Sequence, residues 1–229
     1  MTDGENGYNF KSGEETTTEL YRAGECLYAK KRNGVANAVL NFILIAFIAV
    51  VAIELVFNCF YTGIYVVNIS MQPNFNGAVR ESEPGGDFIY VNKWAQPQYG
   101  DAVVVYRDFT LENGTRESGN IIKRVVALGG DTVKIEGGVL YRNGEPVDES
   151  AYIFPEYNLP LLNNYDEHVV KENCMFLLGD NRNKSTDSRE YGDFELSALV
   201  GVVPKWSIAT KGISTAIYTF FNFTIFGKY

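Results

Sequence analysis

Two side chains in this sequence have the types and settings for proton-transfer chemistry: Ser70 in "NISMQPNF" and Lys123 in "GNIIKRVVALGGD". A serine hydroxyl is a weak nucleophile at its own pKa and needs a positioned base. A lysine can be that base once burial disfavours its ammonium form and lowers its pKa by several units. Lys123 interrupts a strand-like run of Ile, Val, Ala and Leu, the kind of setting that has this effect. Taken singly, both residues also have ordinary readings. A serine close to a proline is a common turn residue, and a lysine in a strand commonly points to solvent from a sheet edge. A third segment, "LLGDNRNKSTDSREYG", alternates two acids with two arginines and several amides. Such a stretch is either merely solvated or folded into a buried, charge-assisted network that scaffolds a site. It lacks the acid spacing and terminal Glu of an EF-hand calcium loop.

Other chemistries are poorly provided for. The single histidine, His168, lies in the polar stretch "NNYDEHVVKEN" and reads as a solvated loop residue, so serine chemistry here calls for another base. Cys26, Cys59 and Cys174 fall in three separate segments without a C-x-x-C pair, which predicts neither a disulfide framework nor a zinc site. The expectation is that the chain needs no metal or cofactor. Net charge is -8 with no basic block beyond Lys30, Lys31 and Arg32, so nucleic acid is not an expected partner.

Around these residues the chain divides into four parts. Residues 1–32 form a polar tail. Residues 33–57 are free of charge as far as Ile53, a length that fits the roughly 20 residues of a membrane-spanning helix. The apolar run is too long for a signal peptide and no small-x-small cleavage site closes it. Lys30, Lys31 and Arg32 on one flank, against no Lys or Arg from Asn33 to Val79 on the other, predict a cytoplasmic amino terminus and an extracytoplasmic remainder. Glu54, near the outer end of the span, is expected to reach water and is given no role. Ser70 follows Phe57 by 13 residues, so it lies no more than roughly 45 Å from the helix end even on a fully extended linker. Residues 58–210 break into short apolar or alternating runs, among them "DFIYVNK", "DAVVVYR", "NIIKRVVAL" and "CMFLLGD". Gly137-Gly138 and Asn143-Gly144 are placed for tight hairpins, which predicts a mainly β, antiparallel domain. "DFTLENGTRESG" reads as an exposed loop. Residues 211–229 are apolar and aromatic, short for a span and suited to an interfacial segment or a final strand.

Together the three segments resemble the bacterial type I signal peptidases, membrane-anchored Ser-Lys proteases of the S26 class. Ser70, Met71, Gln72 and Pro73 match the family's Ser-Met-x-Pro, and Gly100 to Val104 match its Gly-Asp-x-Val-Val. Lys123 to Asp131 follow its lysine block, and Gly179 to Arg189 its Gly-Asp-Asn-Arg-x-x-Ser-x-Asp-Ser-Arg block. Four blocks in the family's order, behind one anchor as in Gram-positive members, reverse the ordinary readings of Ser70 and Lys123. The resemblance implies a β-barrel-like catalytic domain in which Ser70 is the acylating nucleophile and Lys123 the general base. Ser185 is implied to hydrogen-bond and orient the lysine amine, and Asp187 with Arg189 to brace the loop. Asn68 stands where some relatives carry a second oxyanion donor. Val66, Met71 and Ile122 are expected to line the substrate pockets. The implied substrates are signal-peptide-bearing preproteins, met at the lipid surface by a monomeric enzyme. Two positions depart from the pattern: Asn74 replaces a threonine, and Gly129 replaces a proline and is expected to loosen the exit from the lysine strand. The sequons Asn68-Ile-Ser70 and Asn183-Lys-Ser185 would place glycans on the site in an endoplasmic reticulum lumen, which favours a bacterial plasma membrane. A self-cleaving repressor-type protease shares the dyad but needs a DNA-binding domain where this chain has the apolar run. The remaining alternative is a weak or catalytically silent anchored β-domain that binds exported proteins.

Overall fold

The computed structural model describes residues 13–80, 82–110 and 116–225. The first twelve residues of the expected tail, the centre of "DFTLENGTRESG" and the final four residues of the aromatic segment lie outside the described residues. The chain separates into two compact units, residues 1–57 and 58–229. In the first, one helix, α1 (Gly13–Phe60, its last three residues in the second unit), carries the apolar run. Its stretch Gly34–Phe60 has a mean hydropathy of 2.8 and is long and apolar enough to cross a membrane.

Among its described residues the second unit has eleven strands and, besides the end of α1 and short helical turns, two α-helices. The strands are β1 (Tyr61–Tyr65), β2 (Phe88–Asn92), β3 (Ala102–Thr110), β4 (Arg116–Leu128), β5 (Thr132–Glu136), β6 (Val139–Arg142), β7 (Glu145–Pro146), β8 (Tyr165–Val169), β9 (Cys174–Leu178), β10 (Phe194–Glu195) and β11 (Leu199–Val202). The helices are α2 (Ser188–Tyr191) and α3 (Lys205–Thr219). Seven strands pair in the order β1-β2-β11-β3-β4-β9-β10, and four more as β7-β6-β5-β8, with every ladder antiparallel. The fold is therefore mainly antiparallel β, as expected. The barrel-like arrangement consists of two open sheets, since β1 and β10 remain edge strands among the described residues. The hairpins turn where predicted: Gly137 and Gly138 have φ of 57° and 82°, and Asn143 and Gly144 of 55° and 81°, the left-handed pairs that match strand twist.

β4 is the spine of the unit. It pairs with β3 along Ala102–Thr110, and with β9 only from Arg124 to Leu128. Ile122 packs with Met71, Phe75, Ile89 and Val104 in one core cluster, while Val126 and Ala127 pack with Val133, Ile135, Leu140 and Phe176 in another.

Three local expectations are corrected. "DFTLENGTRESG" is largely the end of the β3–β4 hairpin, in which Asp108 pairs with Ser118. His168 is a half-buried strand residue of β8, its Nε2 2.7 Å from Asp193 Oδ1 and its ring against Phe176, rather than a free loop residue. The carboxyl-terminal segment belongs to helix α3 and a further helical turn over Phe220–Ile225, rather than to a strand.

Candidate active site

Ser70 sits in a turn that begins where the chain leaves β1. The Gln72 N–H donates to the Ile69 carbonyl and the Phe75 N–H to the Met71 carbonyl. Met71 and Phe75 are fully buried and anchor this turn in the core. The same packing corrects the pocket assignment of Met71. Its neighbours are Phe75, Ile89 and Val91, and it does not line the cleft.

Lys123 lies one residue before β9 begins to pair with β4. On its other side it pairs with Val103 of β3, and its side chain turns toward the serine. Lys123 Nζ is 2.7 Å from Ser70 Oγ and 2.9 Å from the Ile122 carbonyl oxygen. Both Ser70 and Lys123 are buried, with 7% and 4% of their surface exposed. Burial pushes the amine down from its ordinary pKa to about 8, against the opposing pull of the Asp187 and Asp180 carboxylates. An edge lysine pointing to solvent would show none of these features.

The loop after β9 closes over the pair. The Asn181 N–H donates to the Ser70 carbonyl at 3.0 Å, and Asn181 Nδ2 donates to the Ile69 carbonyl at 3.2 Å. The approach is close enough to require glycine at position 179. A Cβ there would lie 2.5 Å from the Ser70 carbonyl oxygen and 2.2 Å from Ser185 Oγ. Arg189 grips Asp187 through two hydrogen bonds of 2.9 Å and also donates to Asn163 Oδ1 and to the Arg182 and Ser185 carbonyls. Asp187 in turn accepts the Gly179 N–H and caps α2. The arrangement is a forked, charge-assisted pair. Ser185 departs from expectation: its Oγ is buried and bonds to nothing among the described residues, and the lysine amine takes Ser70 and Ile122 as its partners instead.

Several partners of this network come from far along the chain and escaped the sequence reading. Arg124, next to Lys123, holds Asp180 with bonds of 2.6 and 2.5 Å and stacks over the Tyr152 ring. Asn74, one of the two departures from the family pattern, donates to Asp180 Oδ2 at 2.8 Å and to the Tyr152 carbonyl at 2.6 Å. It thereby ties the serine turn to the arginine beside the lysine. Arg182 pairs with Glu149. The only legible signal for these partners was an excess of polar residues at positions flanked by apolar runs. The other departure, Gly129, is tightly fitted rather than loose, because a Cβ there would meet the backbone of Lys171 to Asn173 at 2.9–3.1 Å.

A cleft of about 620 Å³ opens onto Ser70 and Lys123. One wall is Gly63–Asn68 and the other Gly119–Ile122, so Val66, Asn68 and Ile122 all line it. Among the described residues the β1 ladder is with β2, Val67 bridges to Ala78, and β4 pairs with β9 only from Arg124 onward. Asn68 has φ of 74°, and its Oδ1 accepts the Ile69 N–H at 2.6 Å. Chemically the site offers a hydroxyl hydrogen-bonded to a desolvated amine, at the floor of a trough where an extended peptide could add as a strand. Among the described residues no group of His, Cys, Asp or Glu side chains is placed to hold a metal ion.

The chain is similar to several known proteins. A probable signal peptidase I-1 of Synechocystis sp. is 37% identical over 123 residues, covering 51% of this chain and 59% of the relative. A signal peptidase I of Pseudomonas aeruginosa is 31% identical over 180 residues, 61% of each chain. The chain thus spans about half to three fifths of the length of the first such relatives. A solved signal peptidase I from Enterococcus faecalis aligns with 48% of this chain and 98% of its own at 29% identity and a TM-score of 0.37. Residues 39–207, from within the apolar helix to the start of α3, match the family described as signal peptidase, peptidase S26. A match over that much of the sequence means that this chain belongs to the signal peptidase S26 family.

Proposed function

We propose that the protein is a membrane-anchored serine endopeptidase that removes signal peptides from secreted preproteins with a Ser70–Lys123 dyad. The observation that carries this reading is the buried amine 2.7 Å from the serine hydroxyl, with its pKa brought down to about 8. With substrate bound, the neutral amine accepts the Ser70 proton as Oγ attacks the scissile carbonyl. The resulting ammonium returns that proton to the departing amine, which leaves an acyl-enzyme. Water, deprotonated by the same amine, then releases the acid and restores Ser70. Asp187 and Arg189 keep the covering loop in register against Gly179 and the serine turn, while Ser185 packs beside them.

The substrate segment adds as a strand between the cleft walls and presents small side chains to shallow pockets lined by Val66 and Ile122. The helix Gly34–Phe60 is the anchor, and the basic residues before it place the amino terminus in the cytoplasm and residues 58–210 outside. The Ser70 backbone N–H and Asn68 Nδ2 are the donors proposed for the tetrahedral oxyanion. Asn68 Oδ1 is already engaged by the Ile69 N–H, which fixes the amide so that its nitrogen is the end left to donate. Asn68→Ala is therefore expected to lower kcat by about 10²- to 10³-fold on an Ala-x-Ala peptide. An unchanged kcat assigns Asn68 to turn geometry alone, where its left-handed φ already suits an asparagine.

The reading is tested by following cleavage of a fluorogenic Ala-x-Ala peptide across pH. Because the base works only when deprotonated, kcat/KM should rise as pH passes about 8 and then level off. A rate independent of pH from 6 to 10 would fit another base, and no cleavage at any pH would fit a silent binding domain.

A further inference from the structure

The family match stops at residue 207, yet α3 continues to Thr219 and reaches back to the serine turn. α3 lies along the side of β2 that β11 touches only at Asn92. There the Tyr90 N–H donates to Ser207 Oγ at 2.8 Å and the Phe88 N–H to Thr215 Oγ1 at 2.7 Å, so hydroxyls of the helix satisfy a strand edge. Between these two anchors stands Lys211. Its Nζ donates to Asp87 Oδ2 at 2.5 Å and to the Asn74 carbonyl at 2.8 Å, and lies 5.5 Å from the centre of the Phe75 ring. The same Asp87 oxygen accepts the Asn76 N–H, and the Asp87 N–H donates to the Asn76 carbonyl. One ammonium and one carboxylate therefore hold Asn74 to Asn76 from the helix side, while the Asn74 side chain holds Asp180 on the opposite side. The Phe75 N–H closes the turn onto Met71, directly after Ser70.

We propose that Lys211 is a positioning residue for the reaction: clamped by Asp87, it fixes the Asn74 carbonyl and so sets the turn that carries Ser70 against Lys123. This role rests on the Ser-Lys reading above. A hydroxyl that must stay within hydrogen-bond reach of its base is sensitive to displacements of about 1 Å, which can cost on the order of 10²-fold in rate. The clamp acts through the backbone of the turn, so its loss falls on the chemical step rather than on substrate affinity.

The test uses the full-length protein in detergent and an Ala-x-Ala peptide, with kcat expressed per serine that can be acylated, so that incomplete folding does not enter. Lys211→Met should lower kcat by about 10- to 100-fold while KM stays within twofold. Lys211→Arg should restore most of the rate, since its fork can reach both oxygens. Thr215→Val removes the acceptor of the Phe88 N–H but leaves the clamp, and should lower Tm without lowering kcat. The inference is overturned if Lys211→Met keeps kcat within twofold, if its loss appears in KM, or if Thr215→Val lowers kcat as far as Lys211→Met does. Ser70→Ala separates the two levels. An active Ser70→Ala sinks the site reading itself, whereas an inactive Ser70→Ala beside a fully active Lys211→Met sinks only the role of Lys211.

Discussion

Ser70→Ala and Lys123→Met are each expected to lower kcat for peptide cleavage by about 10⁴- to 10⁶-fold, and the double variant no further than either alone. Non-additivity follows from the geometry. The amine is 2.7 Å from the hydroxyl and serves only to take and return its proton, so removing either member removes the whole pathway. Lys123→Met also separates loss of chemistry from loss of fold. With a folded-state pKa of about 8 against 10.5 for the free side chain, the unfolded chain binds more protons between those values. The parent's stability should thus rise with pH through that window, by at most roughly 1.4 kcal/mol per unit, and the gain is absent below about pH 8. Methionine fills the same apolar site without a proton to shed, so the variant should lack this contribution to the pH dependence. An active Lys123→Met would require another base. The single histidine is a poor candidate, since it pairs with Asp193 in β8, away from the cleft lining.

What could be read from the sequence was what depends on short spacing. Ser70 with its proline, the lysine inside an apolar strand and the acid–arginine alternation after β9 each sit within one local segment, and the hairpin turns are specified by two residues apiece. What could not be read depends on which distant segments meet. Arg124 and Asp180 are 56 positions apart and Asp87 and Lys211 are 124 apart, so nothing local says that either pair forms. Met71 illustrates a finer limit. An apolar side chain beside a nucleophile can face a pocket or the core, and the choice is made by the turn that the Met71 carbonyl and the Phe75 N–H close. His168 was misplaced because polar residues alternate on an exposed strand much as they do in a loop, while its contact with Phe176 is made by a different strand. The hydrogen bond expected from Ser185 to the amine fails for a related reason. The loop presents the Ser185 hydroxyl to the space left by Gly179, while the amine finds its second acceptor in its own neighbour, the Ile122 carbonyl.

Asp180→Ala is expected to cost the protein about 3–5 kcal/mol, the largest stability effect of any single change near the site. Asp180 and Arg124 are both buried, with side chains 1% and 8% exposed, and their fork is reinforced by Asn74 on the carboxylate and the Gly100 carbonyl on the guanidinium. Removing the acid leaves a guanidinium with no counter-charge in a dry setting, and an Asn74 amide with one partner fewer. Against a usual total of about 5–15 kcal/mol for a domain, that loss is roughly a fifth or more of what holds the unit together. Denaturant unfolding of the full-length protein should show it as a fall in midpoint at constant slope. Replacing both partners with apolar residues, as in Arg124→Met with Asp180→Leu, should recover most of the loss, because the penalty lies in the unpaired charge. A second effect has the opposite bearing on activity. Asp180 helps to hold the Lys123 proton, so without it the amine should lose that proton more readily and the rise in kcat/KM should begin below about pH 8. A stability loss under about 1 kcal/mol would rank the pair with ordinary surface ion pairs. An unmoved pH profile would mean that Asp187 alone supplies the field at the amine.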